Sequence, residues 1–460
     1  MLENGRPPFG MQVSGGSRNR PAVIYPDNNW TWPDLRTDIR AVVKLEYGSC
    51  SANEAAGELG PHRAEDITIK SEDGARNGFY VKGGEKYVLS GATIEMIGNG
   101  SDDFTGVGAG VMVDEGGELV LRGCDIQTAG VVRPCTLATR GGVLRIYGCR
   151  LTASGGTLPE GYVFRPGRGM LVPPPALGLS GNCRAHLSMD HSRTYFYDSE
   201  IVAEGWGALS TDAGNGYVYL EANRCGIEVR SPGYAASADG DCHVVLNDCR
   251  LETASHGLIM SGLSECALRN TSVRSGRHFA MIHNVKGVPT EVAELTVTGG
   301  EIETARECFL LKSANTYLDL VGVTIKSGCN VLLRAAVNFD EYATRVGSEP
   351  VFGNNLVLSD MELEGDIINE DTDRTLTVTL NGTLLRGAVK EAYLTMDPSS
   401  RWISSGDSTV IVMGDAAESQ FDAPPGVTIT ADVGEDCRLR SCVLPLGGTL
   451  LVRQRKKGES

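Results

Sequence analysis

The stretch DSEIVAEGWGALSTDAGNGYVYLEAN, residues 198–223, contains the unit that recurs along most of this chain. After the turn residue Asp198 it holds three short segments in which apolar and polar side chains alternate, at residues 200–203, 207–210 and 217–220. Glycine and polar residues separate these segments. Short alternating segments between turn residues predict β-strands, so each unit predicts three strands.

The same opening motif recurs through the sequence: a turn residue, a small residue, a polar residue, and then a β-branched residue or Leu. Its turn residues are Gly91, Gly123, Gly148, Asp198, Asp248, Asn270, Gly299, Gly322, Asp360 and Gly382, and a further copy at Asn223 has one extra residue. Most neighbouring copies lie 22 to 25 residues apart, and the longer intervals predict insertions in turns. A short unit at near-constant spacing predicts one repeat architecture rather than several globular domains.

Three strands in one short repeat are typical of one coil of a right-handed parallel β-helix. We therefore predict an all-β fold with about 11–13 coils. Over residues 64–400 the chain resembles the pectin-lyase-like superfamily in architecture, although no catalytic motif of that superfamily matches. The resemblance implies that the motif strand is the third strand of each coil. Residues 207–210 then belong to a first strand and residues 217–220 to a second strand.

The two ends of the chain depart from the repeat. Residues 1–63 are predicted to form an N-terminal cap that covers the open edge of the first coil, with a helix-capable stretch from Asp38 to Leu59. Residues 401–460 are predicted to form terminal coils and a basic C-terminal tail.

The composition limits the classes of function. The chain has 58 glycines among 460 residues and a formal net charge of −16. An acidic protein disfavours nucleic acid and anionic membranes as partners. No apolar run reaches the roughly 18 residues of a membrane span, and residues 1–21 lack the pattern of a signal peptide. These features predict a cytoplasmic protein.

The 13 cysteines show no CxxC pair, so their spacing predicts neither a zinc site nor a disulfide framework. Alternation along the third strands places a small residue of each motif inside the coil. This interior ladder contains Cys124, Cys149, Ser199, Cys249 and Thr271. We predict that the cysteines are reduced and act mostly in packing.

The resemblance implies that a substrate groove lies on the outward face of the first strands. When these strands are aligned by their inward apolar pairs, the residue after each pair points outward. This column reads Ser180, Ser210, Ala238, Ser261, His283, Lys312 and Arg334. Neighbouring strands are about 4.8 Å apart, so the last three side chains are predicted to stand side by side. They form either a substrate site or a solvated stripe that is paired with acidic loop residues.

The loops before the first strands supply further candidates. Trp206 and Tyr234 are predicted to lie at the groove edge, where aromatic rings suit sugar stacking. His256 and His278 come from neighbouring loops. For the two aromatic residues, packing in turns is as good an explanation as substrate binding. For the two histidines, an ordinary structural role is the better explanation.

Acidic residues follow the first strands. Asp212 and Asp239 are candidate catalytic carboxylates, and together with Asp241 they allow a calcium site, because Ca²⁺ prefers oxygen ligands. Asp is also a common turn residue. We therefore predict no cofactor and no metal, with Ca²⁺ as the alternative.

The same outward face carries an apolar stripe that includes Met281 and Leu310. An apolar floor suits a small amphipathic substrate, or burial by a loop or a second subunit, so a homo-oligomer stays open. Residues 148–198 either form a lid over the groove or contain an additional coil.

These patterns predict an enzyme that removes a proton next to a carbonyl or carboxylate group and then eliminates, epimerises or isomerises a carbohydrate or small amphipathic substrate. His283 or Lys312 is the predicted base, and Arg334 with the remaining cation stabilises the enolate. Asp212 or Asp239 orients or returns the proton. Two alternatives are a glycoside hydrolase with these two carboxylates as a pair and a non-enzymatic β-helix adhesin or binding module.

Overall fold

The computed structural model describes residues 39–52, 54–165, 169–284, 290–340 and 352–455. These residues are mostly β-strand, and nearly all of the strand pairs are parallel. The predicted all-β class is therefore confirmed. Packing divides the chain between Ile259 and Met260 into two units, which are described in turn. The division falls within the strand His256–Ser261.

In the unit of residues 39–259, strands of the three predicted kinds follow one another in sequence. The third strands pair in chain order and are Thr68–Ser71, Thr93–Ile97, Asp125–Ala129, Arg150–Ser154, Glu200–Ala203, Gly226–Val229 and Arg250–Thr253. The first strands are Arg76–Lys82, Val111–Val113, Thr136–Ala138 and Arg184–Met189. The second strands are Arg63–Glu65, Lys86–Ser90, Glu118–Arg122, Val143–Tyr147 and Arg193–Tyr197. Two long strands, Trp206–Asn223 and Gly233–Asn247, supply a first and a second strand each.

The unit of residues 260–455 has the same organisation. Its first strands are Ala280–His283, Phe309–Lys312, Val331–Ala336 and Asp366–Asn369. Its second strands are Ser264–Arg269, Ala293–Thr298, Thr316–Val321, Asn354–Ser359, Leu376–Asn381, Ser408–Val412, Thr428–Val433 and Thr449–Gln454, and Val389–Met396 begins as a first strand and ends as a second. Its third strands are Ser272–Ser275, Glu301–Thr304, Thr324–Ser327, Glu362–Glu364, Leu384–Arg386, Arg401–Ile403 and Phe421–Asp422. The short strand Cys442–Val443 pairs antiparallel with Thr449–Gln454. Parallel pairing thus continues to Gln454.

Aliphatic side chains on neighbouring third strands build the core. Ile126 lies opposite Leu151, and Leu151 lies opposite Ile201, and all three are fully buried. Burying one such side chain contributes about 1.5–3 kcal/mol relative to its exposure. The repeated aliphatic position of the motif therefore holds the strands in register.

The turns before most of the third strands contain a residue with a left-handed backbone, but those before Arg401–Ile403 and Phe421–Asp422 do not. Asp198 and Asp248 have φ values of 50° and 52°, in the left-handed region that Asp, Asn and Gly tolerate best. Asn223 is not the left-handed residue of its turn, because the extra residue of that repeat moves this conformation to Arg224, with φ of 53°. Asn223 instead ends a second strand opposite Asn247, which donates a hydrogen bond to its side chain.

Most of the cysteines are packing residues, as predicted. All 13 are free thiols, and nine of them are buried. In the small-residue ladder, the Cys124 amide donates to the sulfur of Cys149, and the Cys149 amide donates to the Ser199 hydroxyl.

The predicted helix between Asp38 and Leu59 is wrong. Arg40–Glu46 and Ser49–Ala52 form an antiparallel hairpin, and Arg40–Glu46 also pairs in parallel with the first strand Arg76–Lys82. Val42 and Val43 are fully buried. Strand pairing at an otherwise open sheet edge satisfies the backbone hydrogen bonds and outweighs helical propensity. Residues 1–38, which the predicted cap includes, and residues 456–460 of the predicted tail lie outside the described residues.

The long insertion between the third strand Arg150–Ser154 and the first strand Arg184–Met189 contains no additional repeat in its described part. Its only regular element there is a short 3-10 helix, Pro175–Leu177. The segment packs along the turns that precede the first strands, because the Trp206 amide donates to the Ser180 carbonyl and the Ser180 amide to the Pro232 carbonyl.

Candidate active site

His283 and Lys312 end two neighbouring first strands in the unit of residues 260–455. The strands pair with His283 opposite Lys312 and Met281 opposite Leu310. Leu311 is fully buried, so Lys312 and Leu310 lie on the opposite, outward face. The structure therefore places His283 and Lys312 side by side, as the alignment predicts.

The predicted position of Arg334 is wrong by two residues. Arg334 lies opposite Leu310, and Lys312 lies opposite Ala336. Arg334 keeps the outward face because a shift of two residues preserves the side-chain direction. Strand spacings of about 4.8 Å across and 3.3 Å per residue place its Cα about 8 Å from that of Lys312.

The Lys312 ammonium group forms an ion pair with Asp340, and the two side chains are 14% and 20% exposed. The loop that carries Asp340 is held in place by Asn338, whose side-chain oxygen accepts the Asp340 amide and whose amide donates to the Ser313 hydroxyl. Lys312 therefore presents a positive charge that one carboxylate already balances.

Two carboxylates hold Arg334. Its Nε donates to Glu307 at 3.1 Å, and its Nη1 donates to Glu370 at 2.6 Å. Burial alone would lower the pKa of Arg334, but Glu370 and Glu307 raise it. The Glu307 side chain is 17% exposed and the Glu370 side chain is 52% exposed. An incoming anion can therefore displace Glu370 more easily than Glu307.

His278 lies next to Glu307, the inner partner of Arg334, and does not line a groove edge. It is 4% exposed, and its Nδ1 donates to the backbone carbonyl of Glu307 at 3.0 Å. The Glu307 carboxylate lies 3.6 Å from the same nitrogen. Burial lowers the pKa of His278, so the neutral ring acts as a support that positions Glu307.

His283 is 8% exposed and faces a very small void. The void measures about 10 Å³, and Asn284, Glu291 and Asn315 also line it. A void of this size holds about one water molecule. Any proton that reaches His283 from a substrate must therefore pass through one bridging water or follow a local opening.

A larger cavity of about 610 Å³ adjoins Arg334. Glu370, Lys390, Glu391 and Asp407 contribute its other charged groups. Small-molecule sites typically measure about 300–1,000 Å³. Arg334 thus borders a space that is large enough for a substrate.

Asp212 and Asp239, in the unit of residues 39–259, both lie near the buried guanidinium group of Arg184. Arg184 also forms an ion pair of 2.7 Å with Asp103, and both side chains are more than nine-tenths buried. Burial alone would lower the pKa of Arg184, but Asp103, Tyr234, Asp212 and Asp239 raise it. These carboxylates therefore neutralise an internal cation.

The predicted aromatic groove edge is wrong, because Trp206 and Tyr234 are only 2% and 4% exposed. The guanidinium carbon of Arg184 lies 4.5 Å from the centre of the Trp206 ring. The Tyr234 hydroxyl lies 3.0 Å from that of Ser210, which is fully buried. These side chains pack around Arg184, so they offer no exposed ring face for a sugar.

Two further predicted positions differ, those of Ala238 and Ser180. Ser210 lies opposite Ser237 rather than Ala238, a shift of one residue that moves Ala238 to the other face. Ser180 belongs to the long insertion rather than to a first strand. Ser261 ends its strand and is half-buried.

His256 is fully buried, and its Nε2 lies 3.0 Å from the carbonyl oxygen of Leu177. The hydroxyl of Ser255 also donates to the carbonyl of Gly178. His256 therefore anchors the long insertion and is not exposed for substrate binding.

The alternative in which acidic loop residues pair with the cations agrees with these ion pairs. The sequence did not identify which carboxylate pairs with which cation, or most of the charged groups around the large cavity. Lys390 and Glu391 had a recognisable signal, because two consecutive charged residues interrupt the alternation of 389–394. The partners Glu307, Asp340 and Glu370 lie in turns or loops, where alternation specifies no direction, so no sequence signal identified them.

Comparisons with known proteins provide no family assignment: no family model matches this chain, and no curated protein does. Among the described residues, no helix is long and apolar enough to span a membrane. No group of three or more His, Cys, Asp or Glu side chains in that part of the chain is arranged to hold a metal ion.

Proposed function

We propose that this protein is an enzyme with a right-handed parallel β-helix of the pectin-lyase-like kind, and that it removes a proton next to a carboxylate group of its substrate. Three parallel strands per repeat, left-handed turns before the third strands and stacked aliphatic ladders support this architecture. The main support for the activity is the outward placement of His283 beside Lys312, with Arg334 at the edge of a 610 Å³ cavity.

The ion pairs suggest a catalytic role for each of the three residues. Lys312 forms an ion pair with Asp340, so we assign to Lys312 the stabilisation of negative charge and to His283 the role of base. Arg334 binds the substrate carboxylate after Glu370 moves aside, while Glu307 and His278 keep the guanidinium group in place. A guanidinium group suits this role because it binds carboxylates with two parallel hydrogen bonds.

In the proposed reaction, the bond between hydrogen and the carbon next to the carboxylate breaks, and the proton passes through one water to His283. The electron pair stays on the substrate as an enolate, which Lys312 and Arg334 stabilise. Loss of a group from the next carbon then gives elimination, and return of the proton to the other face gives epimerisation. A carbohydrate acid, such as a uronic acid residue, has the required groups.

Hydrogen exchange tests this proposal without requiring the final product to be known. The protein is incubated in D2O with polyuronates and free uronic acids, and mass spectrometry measures deuterium at the carbon next to the carboxylate. Ultraviolet absorbance measures any conjugated product. We expect activity in the wild type and a loss of about 100-fold or more in H283A and K312A. The matched control is K326A, because Lys326 also pairs with a carboxylate, Glu301, but lies on a third strand.

Full activity in both H283A and K312A contradicts the proposal. Hydrolysis of neutral glycosides that is lost only in D212N and D239N indicates the glycoside hydrolase instead. Absence of turnover with every substrate, in variants that melt like the wild type, indicates a binding module.

A further inference from the structure

The cavity beside Arg334 is built by a change in turn length between neighbouring repeats. After the first strand Asp366–Asn369, a loop leads to the second strand Leu376–Asn381. In the next repeat, the single strand Val389–Met396 makes the same passage through a β-bulge, where its register shifts between Lys390 and Ala392. The loop therefore forms a wall, and the bulge leaves open space beside it.

The bulge directs two consecutive charged side chains toward solvent. Lys390 and Glu391 are both exposed, whereas Val389 and Ala392 are buried. Glu391 has a φ of 55°, in the left-handed region that is costly for Glu. The side chain of Asn369 donates to the Glu391 carbonyl at 3.3 Å and supports this conformation. Bulges that redirect side chains are common beside functional sites.

The wall is held in place by its own contacts. Asn369 also donates to the carbonyl of Arg374 at 3.0 Å, and the Arg374 side chain donates to Asp371 at 3.1 Å. The side chains of Arg374 and Asp371 are 2% and 1% exposed. A preorganised wall lowers the entropic cost of binding.

The floor is a row of four side chains on neighbouring strands, of which Lys390, Thr409 and Thr430 are polar and Ile368 is apolar. Ile368 lies opposite Lys390, Lys390 opposite Thr409, and Thr409 opposite Thr430. At about 4.8 Å per strand, the row is about 14 Å long. The 610 Å³ cavity shares Glu370, Glu391 and other residues with a second cavity of about 390 Å³, which Tyr393 and Asp432 line. The two cavities therefore adjoin each other, and together we call them the cleft.

The chemistry of the cleft favours one class of ligand. Its larger cavity has three carboxylates, Glu370, Glu391 and Asp407, and two cations, and the second cavity adds further carboxylates. This balance disfavours a polyanion such as nucleic acid. The lining of the larger cavity has one aliphatic side chain, Ile368, which disfavours a hydrophobic ligand there. Carboxylates and threonine hydroxyls instead bind sugar hydroxyls well, because bonds to charged acceptors are stronger than neutral ones.

We propose that this cleft binds a neutral, hydroxyl-rich saccharide chain, and that Glu391 and Asp407 determine its specificity. The inference rests on the proposed function in one respect, because it assigns the cleft to the part of the substrate next to the carboxylate that Arg334 binds. Binding by the cleft itself is measurable without turnover.

Calorimetric titration with short neutral oligosaccharides of glucose, xylose, mannose, arabinose and galactose tests the proposal. Oligogalacturonate and oligothymidine provide the acidic and nucleic-acid comparisons. We expect at least one neutral oligosaccharide to bind the wild type and to bind E391N and D407N roughly tenfold or more weakly. Asn at position 391 tolerates the left-handed backbone, so E391N keeps the bulge. The matched control is E364Q, because Glu364 is exposed on a third strand of the same unit.

Equal affinity of E391N, D407N and wild type, binding of oligothymidine in preference to every saccharide, or no saccharide binding at all overturns the proposal. A different result contradicts the catalytic proposal alone. In that case H283A catalyses deuterium exchange like the wild type, while E391N still loses saccharide affinity. If H283A is inactive but E391N binds normally, the cleft assignment alone is wrong.

Discussion

Arg184 and Arg334 lie in different units, and carboxylates balance both of these guanidinium groups. Arg184 is 8% exposed and Asp103, its partner, is 4% exposed. Arg334 is 29% exposed, and Glu370, its outer partner, is 52% exposed. The same kind of pair is therefore sealed from solvent in one unit and partly open to solvent in the other. Access to solvent, rather than charge, separates structure from function here.

The largest effect should come from removing the buried guanidinium. In R184A, Asp103 is left as a buried charge without its partner, and we expect a loss of about 3–5 kcal/mol in the free energy of unfolding. R334A removes a half-exposed group and should cost about 1 kcal/mol or less. Urea denaturation measures both. Equal losses of unfolding free energy in R184A and R334A would contradict this difference between the two pairs.

The buried, neutral side chain of His186 should make the free energy of unfolding depend on pH. His186 is fully buried, with Nδ1 2.8 Å from the Thr136 hydroxyl and Nε2 2.7 Å from the Ser188 hydroxyl. Burial lowers its pKa to about 3. Below about pH 6.5 this histidine is protonated in the unfolded state but stays neutral in the folded state. Acidification therefore lowers the free energy of unfolding by about 1.4 kcal/mol per pH unit.

The wild type should therefore lose about 2 kcal/mol relative to H186Q between pH 6.5 and pH 5. Urea denaturation at the two pH values provides the measurement. Parallel pH profiles of the two proteins contradict the prediction.

Asp103 should show a smaller effect of opposite sign. Burial raises its pKa to about 6, although Arg184 opposes the shift. The unfolded carboxyl group titrates near pH 3.9, so between these values the folded state binds the proton first and acid adds stability. From pH 6 to pH 5 the wild type should gain about 1 kcal/mol relative to D103N, again by urea denaturation. A wild type that loses stability relative to D103N on acidification refutes the assignment.

The smallest effect should come from the fully exposed pair of Arg224 and Asp198, which are 57% and 58% exposed. Water and salt screen such a pair, and the left-handed backbone of Arg224 suits glycine better. R224G should keep or slightly raise the melting temperature in a calorimetric scan. A clear drop in the melting temperature of R224G would show that solvent exposure does not determine how much these ion pairs stabilise the fold.

The fold was more predictable than the candidate site. Turn residues such as Asp198, aliphatic positions such as Ile126 and small residues such as Cys149 recur at each repeat, so their roles follow from local preferences that add along the chain. The adjacency of His283 and Lys312 was predictable for the same reason. Asp340, Glu307 and Glu370 were not, because they come from turns and loops.

The errors in register have two physical causes. Val331, Leu333 and Ala335 share one face, so the apolar pattern cannot distinguish registers that differ by two residues, and Arg334 was misplaced. In residues 235–238 small side chains occupy both faces, which leaves even the choice of face weakly specified.

The amino-acid sequence by itself determined the three strands of each repeat, the left-handed turns and the apolar interior, because these depend on side chains that alternate over a few residues. Only the tertiary structure decided which cations are sealed and which are accessible. Burial and pairing depend on loops from distant positions, such as Asp103 against Arg184 and Asp340 against Lys312. Those contacts are set by the packing of neighbouring repeats, and no local pattern encodes them.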